Sequence, residues 1–220
     1  MGLLHDLRDP ESARSLAKVM RGRRFAFFRE LVEALPKPIE ILDVGGTQDF
    51  WEHENFTSPE LAKITVVNLE APASRHPNIT TASGNACDMP EFSDSQFDVV
   101  FSNSVIEHVG GLEQQRAMAR EIQRVGKRYF VQTPNRYFPI EPHYMFPFFQ
   151  FLPTGAKAWL LTNFALDWGG KATSRERALQ LAKSVELLPR SEFVAMFPDA
   201  EIYNERVLGL TKSLTAYGGF

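Results

Sequence analysis

Residues 39–52, IEILDVGGTQDFWE, decide the fold. Ile39, Ile41, Leu42 and Val44 make a short apolar strand that runs straight into Gly45 and Gly46, and two residues without Cβ atoms let the backbone turn sharply and come close to a ligand. Asp43 stands just before that turn. In open α/β sheets ligands collect beyond the carboxyl ends of the strands, so a glycine turn after the first strand is where a nucleotide-like cofactor would lie.

Upstream, residues 12–35 carry Leu16, Val19, Met20, Phe27, Leu31 and Leu35 at near-helical spacing and stop at Pro36 and Pro38. This predicts a helical cap, within residues 1–38, over the sheet or the cofactor cleft. Its Arg21, Arg23 and Arg24 read as a solvated face. Downstream, residues 48–56 are too short and polar for a long helix. Residues 63–69 (KITVVNL) form a β-branched strand with Glu70 at its tip, and 78–82 (NITTA) form a weaker third. Residues 97–102 (FDVVFS) are the strongest buried strand, 112–125 a helix ended by Gly126, and 127–132 (KRYFVQ) a fifth strand stopped by Thr133, Pro134 and Asn135. Aromatics and prolines crowd residues 136–172, an insertion over the active-site mouth with helices expected near 144–151 and 156–161. Further helices follow at 174–187 and 191–197, and the strands 201–208 and 210–217, parted by Gly209, form an antiparallel pair at the sheet edge.

The 220 residues, 44% hydrophobic and 12% aromatic, suffice for a full core and are read as one domain. A net charge of −3 argues against an obligate nucleic-acid partner. The single cysteine, Cys87, excludes an internal disulfide and a cysteine-based metal cluster, and it reads as a small apolar filler. Residues 1–15 lack the apolar core of a signal peptide, and no run of 18 apolar residues offers a membrane span. A cytoplasmic protein without stable membrane insertion is expected.

Strand, glycine turn, a second strand with an acid at its tip, GNACDMP at 84–90, FDVVFSNSVIEHV at 97–109 and TPNR at 133–136: in that order these resemble the class I S-adenosylmethionine-dependent methyltransferases, over residues 39–135. Residues 138–153, FPIEPHYMFPFFQFLP, are similar to a segment of small bacterial members of that group. The resemblance implies a Rossmann-like, seven-stranded, mostly parallel sheet with helices on both faces and an aromatic-rich insertion after strand 5. It implies S-adenosylmethionine as cofactor, with Asp43, Gly45 and Gly46 at its methionine end and Glu70 on the ribose hydroxyls. Asn85 and Ala86 would meet the adenine edge, and Asn103 and Ser104 would line the floor beneath the sulfonium. Two departures stand out. The family's glycine, any residue, glycine turn is Gly45-Gly46-Thr47 here, and Asn85 stands where many relatives have Asp.

Taken singly, Asp43 is also an ordinary turn former, Glu70 a solvated strand end, and Glu107 with His108 a structural bridge at a helix start. If the acceptor is a small molecule with an oxygen nucleophile, transfer also needs a proton acceptor, and the candidates are His108, Glu141 and His143. No metal is expected, because the sulfonium methyl is already an activated electrophile. The alternatives are a non-catalytic S-adenosylmethionine-binding regulator or scaffold, and a nicotinamide-dependent oxidoreductase. The latter is disfavoured by the missing G-x-G-x-x-G spacing.

Overall fold

The computed structural model describes residues 10–144, 146–166 and 170–220, with side chains from Lys18 onward. The reading of residues 1–9, part of the expected cap, lies outside the described residues, as do Met145 and residues 167–169 of the insertion.

Helix α1 (Pro10–Glu33) leads into β1 (Ile39–Val44), the short helix α2 (Gln48–His53), β2 (Ala62–Asn68), β3 (Ile79–Ser83), β4 (Val99–Asn103), α3 (Leu112–Val125) and β5 (Tyr129–Pro134). The insertion holds the two-residue strands β6 (Ile140–Glu141) and β7 (Phe146–Pro147), a 3-10 turn (Phe149–Phe151), and helices α4 (Thr154–Asn163) and α5 (Arg175–Lys183). Helix α6 (Arg190–Met196) and the hairpin β8 (Glu201–Val207) and β9 (Leu210–Gly218) complete the chain.

The main sheet has seven strands in the order β3-β2-β1-β4-β5-β9-β8. Strands β1 to β5 pair in parallel, while β9 runs antiparallel to both β5 and β8. Strand order reverses between β1 and β4, and that switch point opens a crevice at the carboxyl edge where a ligand can seat. β5 extends two residues beyond its expected end because β9 gives it a partner as far as Pro134, opposite Ser213. The β8–β9 turn places Leu208 and Gly209 at φ +52° and +82°, the left-handed pair that a two-residue hairpin demands.

Central parallel strands are buried on both faces, which is why β1 and β4 read as near-continuous apolar runs. Ile39 and Ile41 of β1 pack with Phe25, Phe28 and Trp51 on the α1 and α2 side. Leu42 and Val44, pointing the other way, pack with Met118, Ile122 and Phe193 on the α3 and α6 side. A third apolar cluster, Tyr144, Phe149, Ala158, Leu161, Ala178 and Ala182, belongs to the insertion.

Two expectations are corrected. The described residues of 144–151 form no α-helix: Pro139 and Pro142 precede the segment, Pro147 deprives it of a backbone donor, and Phe148 sits at φ +57°. A two-residue ladder and a 3-10 turn result. In the basic cluster Arg21 and Arg23 are exposed, but Arg24 is buried. Its Nη1 donates to Gln132 Oε1 at 2.7 Å and to Asn103 Oδ1, and its Nη2 reaches Glu205 at 3.4 Å. Arg24 thus pins α1 to the ends of β4, β5 and β8.

Candidate functional site

At the switch point a cleft is walled by Gly45, Val67, Asn68, Leu69, Gly84, Asn85, Ala86, Ser104, Val105, His108 and Val109. Five residues expected at a site, Gly45, Asn85, Ala86, Ser104 and His108, meet there although 63 positions separate the first from the last. Gly45 is required in this wall for a physical reason. That residue has φ +76°, and a Cβ on it would lie 2.5 Å from Val105 Cγ1. Only glycine both adopts the turn and leaves this wall open.

Asp43, Gly46, Glu70 and Asn103 lie outside the cleft lining. Asp43 shares the odd-numbered face of β1 with Ile39 and Ile41, so its carboxylate points toward α2, where Trp51 Nε1 donates to Oδ2 at 2.7 Å. A Cβ on Gly46 would fall on that carboxylate, so this glycine is needed by Asp43 itself. Burial pushes the Asp43 carboxyl up to about 7, the Trp51 bond partly opposing it, and Oδ1 is buried without a hydrogen-bond partner. Asn103 Oδ1 is taken by Arg24. Glu70 stands exposed two residues beyond β2, while Asn68, which ends that strand and donates to the Gly46 carbonyl at 2.8 Å, lines the cleft. Sequence reading passed over Asn68, although its place at a strand end before an acid was the available signal. Cys87 Sγ donates to the Gln114 carbonyl at 3.3 Å, and burial raises its pKa, in line with a filler and not a nucleophile.

The three candidate proton acceptors, up to 35 positions apart, form one chain of contacts. Glu141 Oε1 lies 2.6 Å from His143 Nδ1, and His143 Nε2 lies 3.1 Å from His108 Nε2. The other Glu141 oxygen accepts from the Tyr144 backbone N–H at 3.0 Å. His108 Nδ1 contacts the Ser184 carbonyl at 3.2 Å, and desolvation together with the neighbouring His143 lowers the His108 pKa. His108 borders the cleft, whereas Glu141 borders a second pocket with Arg136, Tyr144, Phe149, Gln150 and Lys157. The Glu141–His143–His108 contacts therefore run from a residue of one cavity to a residue of the other.

Glu107 was expected as a bridge, and its backbone does serve as one, accepting from Glu186 N at 2.8 Å. Its side chain does more. It is fully buried, one oxygen accepts from Thr133 Oγ1 at 3.0 Å, and the other has no partner. Burial lifts this carboxyl to about 7.

Residues 45–129 match the family model described as a methyltransferase domain. No curated protein matches the chain. Among solved structures, a protein of Anabaena variabilis assigned as a methyltransferase of an antibiotic biosynthesis pathway is 16% identical, with a TM-score of 0.51 over 84% of this chain and 66% of its own, so this chain spans just under two thirds of that length. A SAM-dependent methyltransferase of Aquifex aeolicus is 12% identical, with a TM-score of 0.51 over 95% of this chain and 97% of its own. One from Methanosarcina mazei is 15% identical, with a TM-score of 0.50 over 85% and 93%. At such identities the likeness concerns the fold. Among the described residues no helix is long and apolar enough to cross a membrane. The match over residues 45–129 and the strand order together show a methyltransferase-like segment on a Rossmann-like sheet.

Proposed function

We propose that this protein transfers a methyl group from S-adenosylmethionine to an oxygen or nitrogen of a small-molecule acceptor, of the sugar, lipid-precursor or secondary-metabolite kind. One observation carries the reading: the Glu141–His143–His108 chain joins the glycine-walled cleft to a second, polar pocket. The cleft fits the cofactor on its own terms. A Cβ at Gly45 would press on Val105 in its wall, while the Asp43 carboxylate, turned toward Trp51, supports the turn from behind. Gly45 borders the methionine end in this reading, with Asp43 and Gly46 shaping the turn behind it. Asn68 and Glu70 serve the ribose, Asn85 and Ala86 the adenine edge, and Asn103 and Ser104 the floor.

The sulfonium supplies an activated methyl electrophile, so the protein's share is alignment, water exclusion and proton acceptance. Arg136, Gln150, Lys157 and the rings of Tyr144 and Phe149 would seat the acceptor in the second pocket. Its nucleophile would then face the imidazole pair at the junction. Glu141 holds a proton on His143 Nδ1, which leaves Nε2 as the base, and lowered basicity keeps His108 neutral beside it.

The test is a comparison of turnover with cofactor-product affinity. His143→Ala should reduce kcat by roughly 10²–10⁴ on an accepted substrate, while calorimetry finds the S-adenosylhomocysteine Kd little changed. Equal losses in both would assign His143 to structure instead. Failure of the wild type to bind S-adenosylhomocysteine would remove the whole reading.

A further inference from the structure

We infer that Glu107, His108 and His143 form a binding site for a divalent cation of the zinc class. The inference starts from protons. Ser184 O is only an acceptor, so His108 Nδ1, which contacts it, carries the hydrogen. Glu141 imposes the same tautomer on His143. Both imidazoles, when neutral, therefore turn bare Nε2 lone pairs toward each other at 3.1 Å, and the rings cross at 87°, so they do not stack. Two lone pairs at that distance repel unless something positive lies between them.

A tetrahedral zinc ion with ordinary Zn–N bonds sets its two imidazole nitrogens about 3.3 Å apart. The observed separation lies within a few tenths of an ångström of that. The third donor is at hand: one ligand atom from each of Glu107, His108 and His143 lies within 4.8 Å of the other two. Glu107 is fully buried and one of its oxygens has no hydrogen-bond partner, a state that is costly for a carboxylate and is relieved by a cation. The outer contacts are also those of a metal centre, since each histidine gives its remaining N–H to an acceptor, one a carboxylate and the other a backbone carbonyl. Two imidazoles and one carboxylate suit zinc or a neighbouring transition ion better than magnesium or calcium, and three protein donors leave a position open.

The three residues lie between the cleft, bordered by His108, and the second pocket, bordered by Glu141, where an acceptor oxygen or nitrogen would enter. This last clause rests on the proposed methyl transfer, but cation binding itself does not. Loaded, the two imidazoles are ligands; stripped, they are the proton-accepting pair described above.

The full chain, stripped with a chelator, is titrated with Co²⁺ and followed by ligand-field absorption, then by displacement with Zn²⁺. The expected result is one ion per chain, with saturation abolished in both His108→Ala and His143→Ala. Glu141→Gln, which alters only the partner of a ligand, should weaken binding by about ten- to a hundredfold. His108 is exposed, so its variant is the control against a folding defect. Absence of saturable uptake by the wild type, or uptake unchanged in His108→Ala and His143→Ala, overturns the site and leaves a proton-sharing pair. A parallel thermal-shift measurement with S-adenosylhomocysteine keeps the two readings apart. Cobalt uptake without a shift would retain the metal site and remove the methyltransferase reading, and a shift without uptake would do the reverse.

Discussion

The carboxyl rim of the parallel strands and the insertion after β5 both border the candidate site, yet they are built on different principles. The rim is local. β1 and β4 bury both faces, their turns follow directly, and the geometry at Gly45 is set by residues that are neighbours in sequence or across one strand pair. The insertion is made by distant contacts: Tyr144 Oη donates to the Leu181 carbonyl at 2.6 Å, and the Phe149 ring packs with Ala178 and Ala182 of α5. The rim is therefore fixed by local geometry, whereas the insertion depends on a small core of its own.

Substitutions can break that contrast. The largest effect is expected at the rim, from Arg24→Met. It removes a buried cation from Glu205 and the Arg24 donor from Asn103, while Gln132 keeps only the Ser104 hydroxyl, at a cost of about 3–5 kcal/mol in urea unfolding. A loss below about 1 kcal/mol would show that α1 docks through its aromatic residues alone.

Asp43 should make stability pH-dependent. Its folded carboxyl is raised to about 7 from an ordinary 3.8, so the folded state holds the proton more tightly than the unfolded chain does. Stability is thus highest below the unfolded value and falls as pH rises through the folded one, by at most about 4 kcal/mol in all. Asp43→Asn, which still accepts from Trp51, should flatten this profile in melting curves taken between about pH 4 and 8. An unaltered slope would mean that Asp43 is ionised in the folded protein.

Gly45→Ala sets a methyl group against Val105 in a left-handed conformation and should cost about 2–3 kcal/mol, with a matching loss of S-adenosylhomocysteine affinity. Retained affinity would show that the wall at Val105 yields. The mildest change, Tyr144→Phe, removes one hydrogen bond worth about 1 kcal/mol. It should leave cofactor affinity intact while raising the acceptor KM, which would sharpen the division of labour between the two regions. A parallel loss of cofactor affinity would merge them.

Much of the rim was legible because hydrophobic runs, a glycine pair and a strand end are statements about adjacent residues. α3 falls on residues 112–125 as expected, and the β8–β9 hairpin turns where Gly209 marks it. The reading of residues 144–151 as a helix went astray because aromatic density mimics an apolar helix face, while three prolines and the packing of Phe149 impose a ladder and a 3-10 turn. Arg24 was misread for a related reason: its neighbours Arg21 and Arg23 are solvated, and nothing in the local pattern announces Gln132 and Glu205 as its partners.

By itself, then, the amino-acid sequence determined where the parallel strands fall along the chain, the bare turn at Gly45 and the residue types offered at the crevice, because backbone preference and burial periodicity are local properties. Only the tertiary structure decided that Asp43 turns away toward Trp51, that Asn68 enters the cleft wall, and that His108 and His143 meet edge to edge beside the buried Glu107. Such meetings depend on how helices and an insertion pack across a sheet. A carboxylate or an imidazole acquires its chemistry from the partners that packing brings to it.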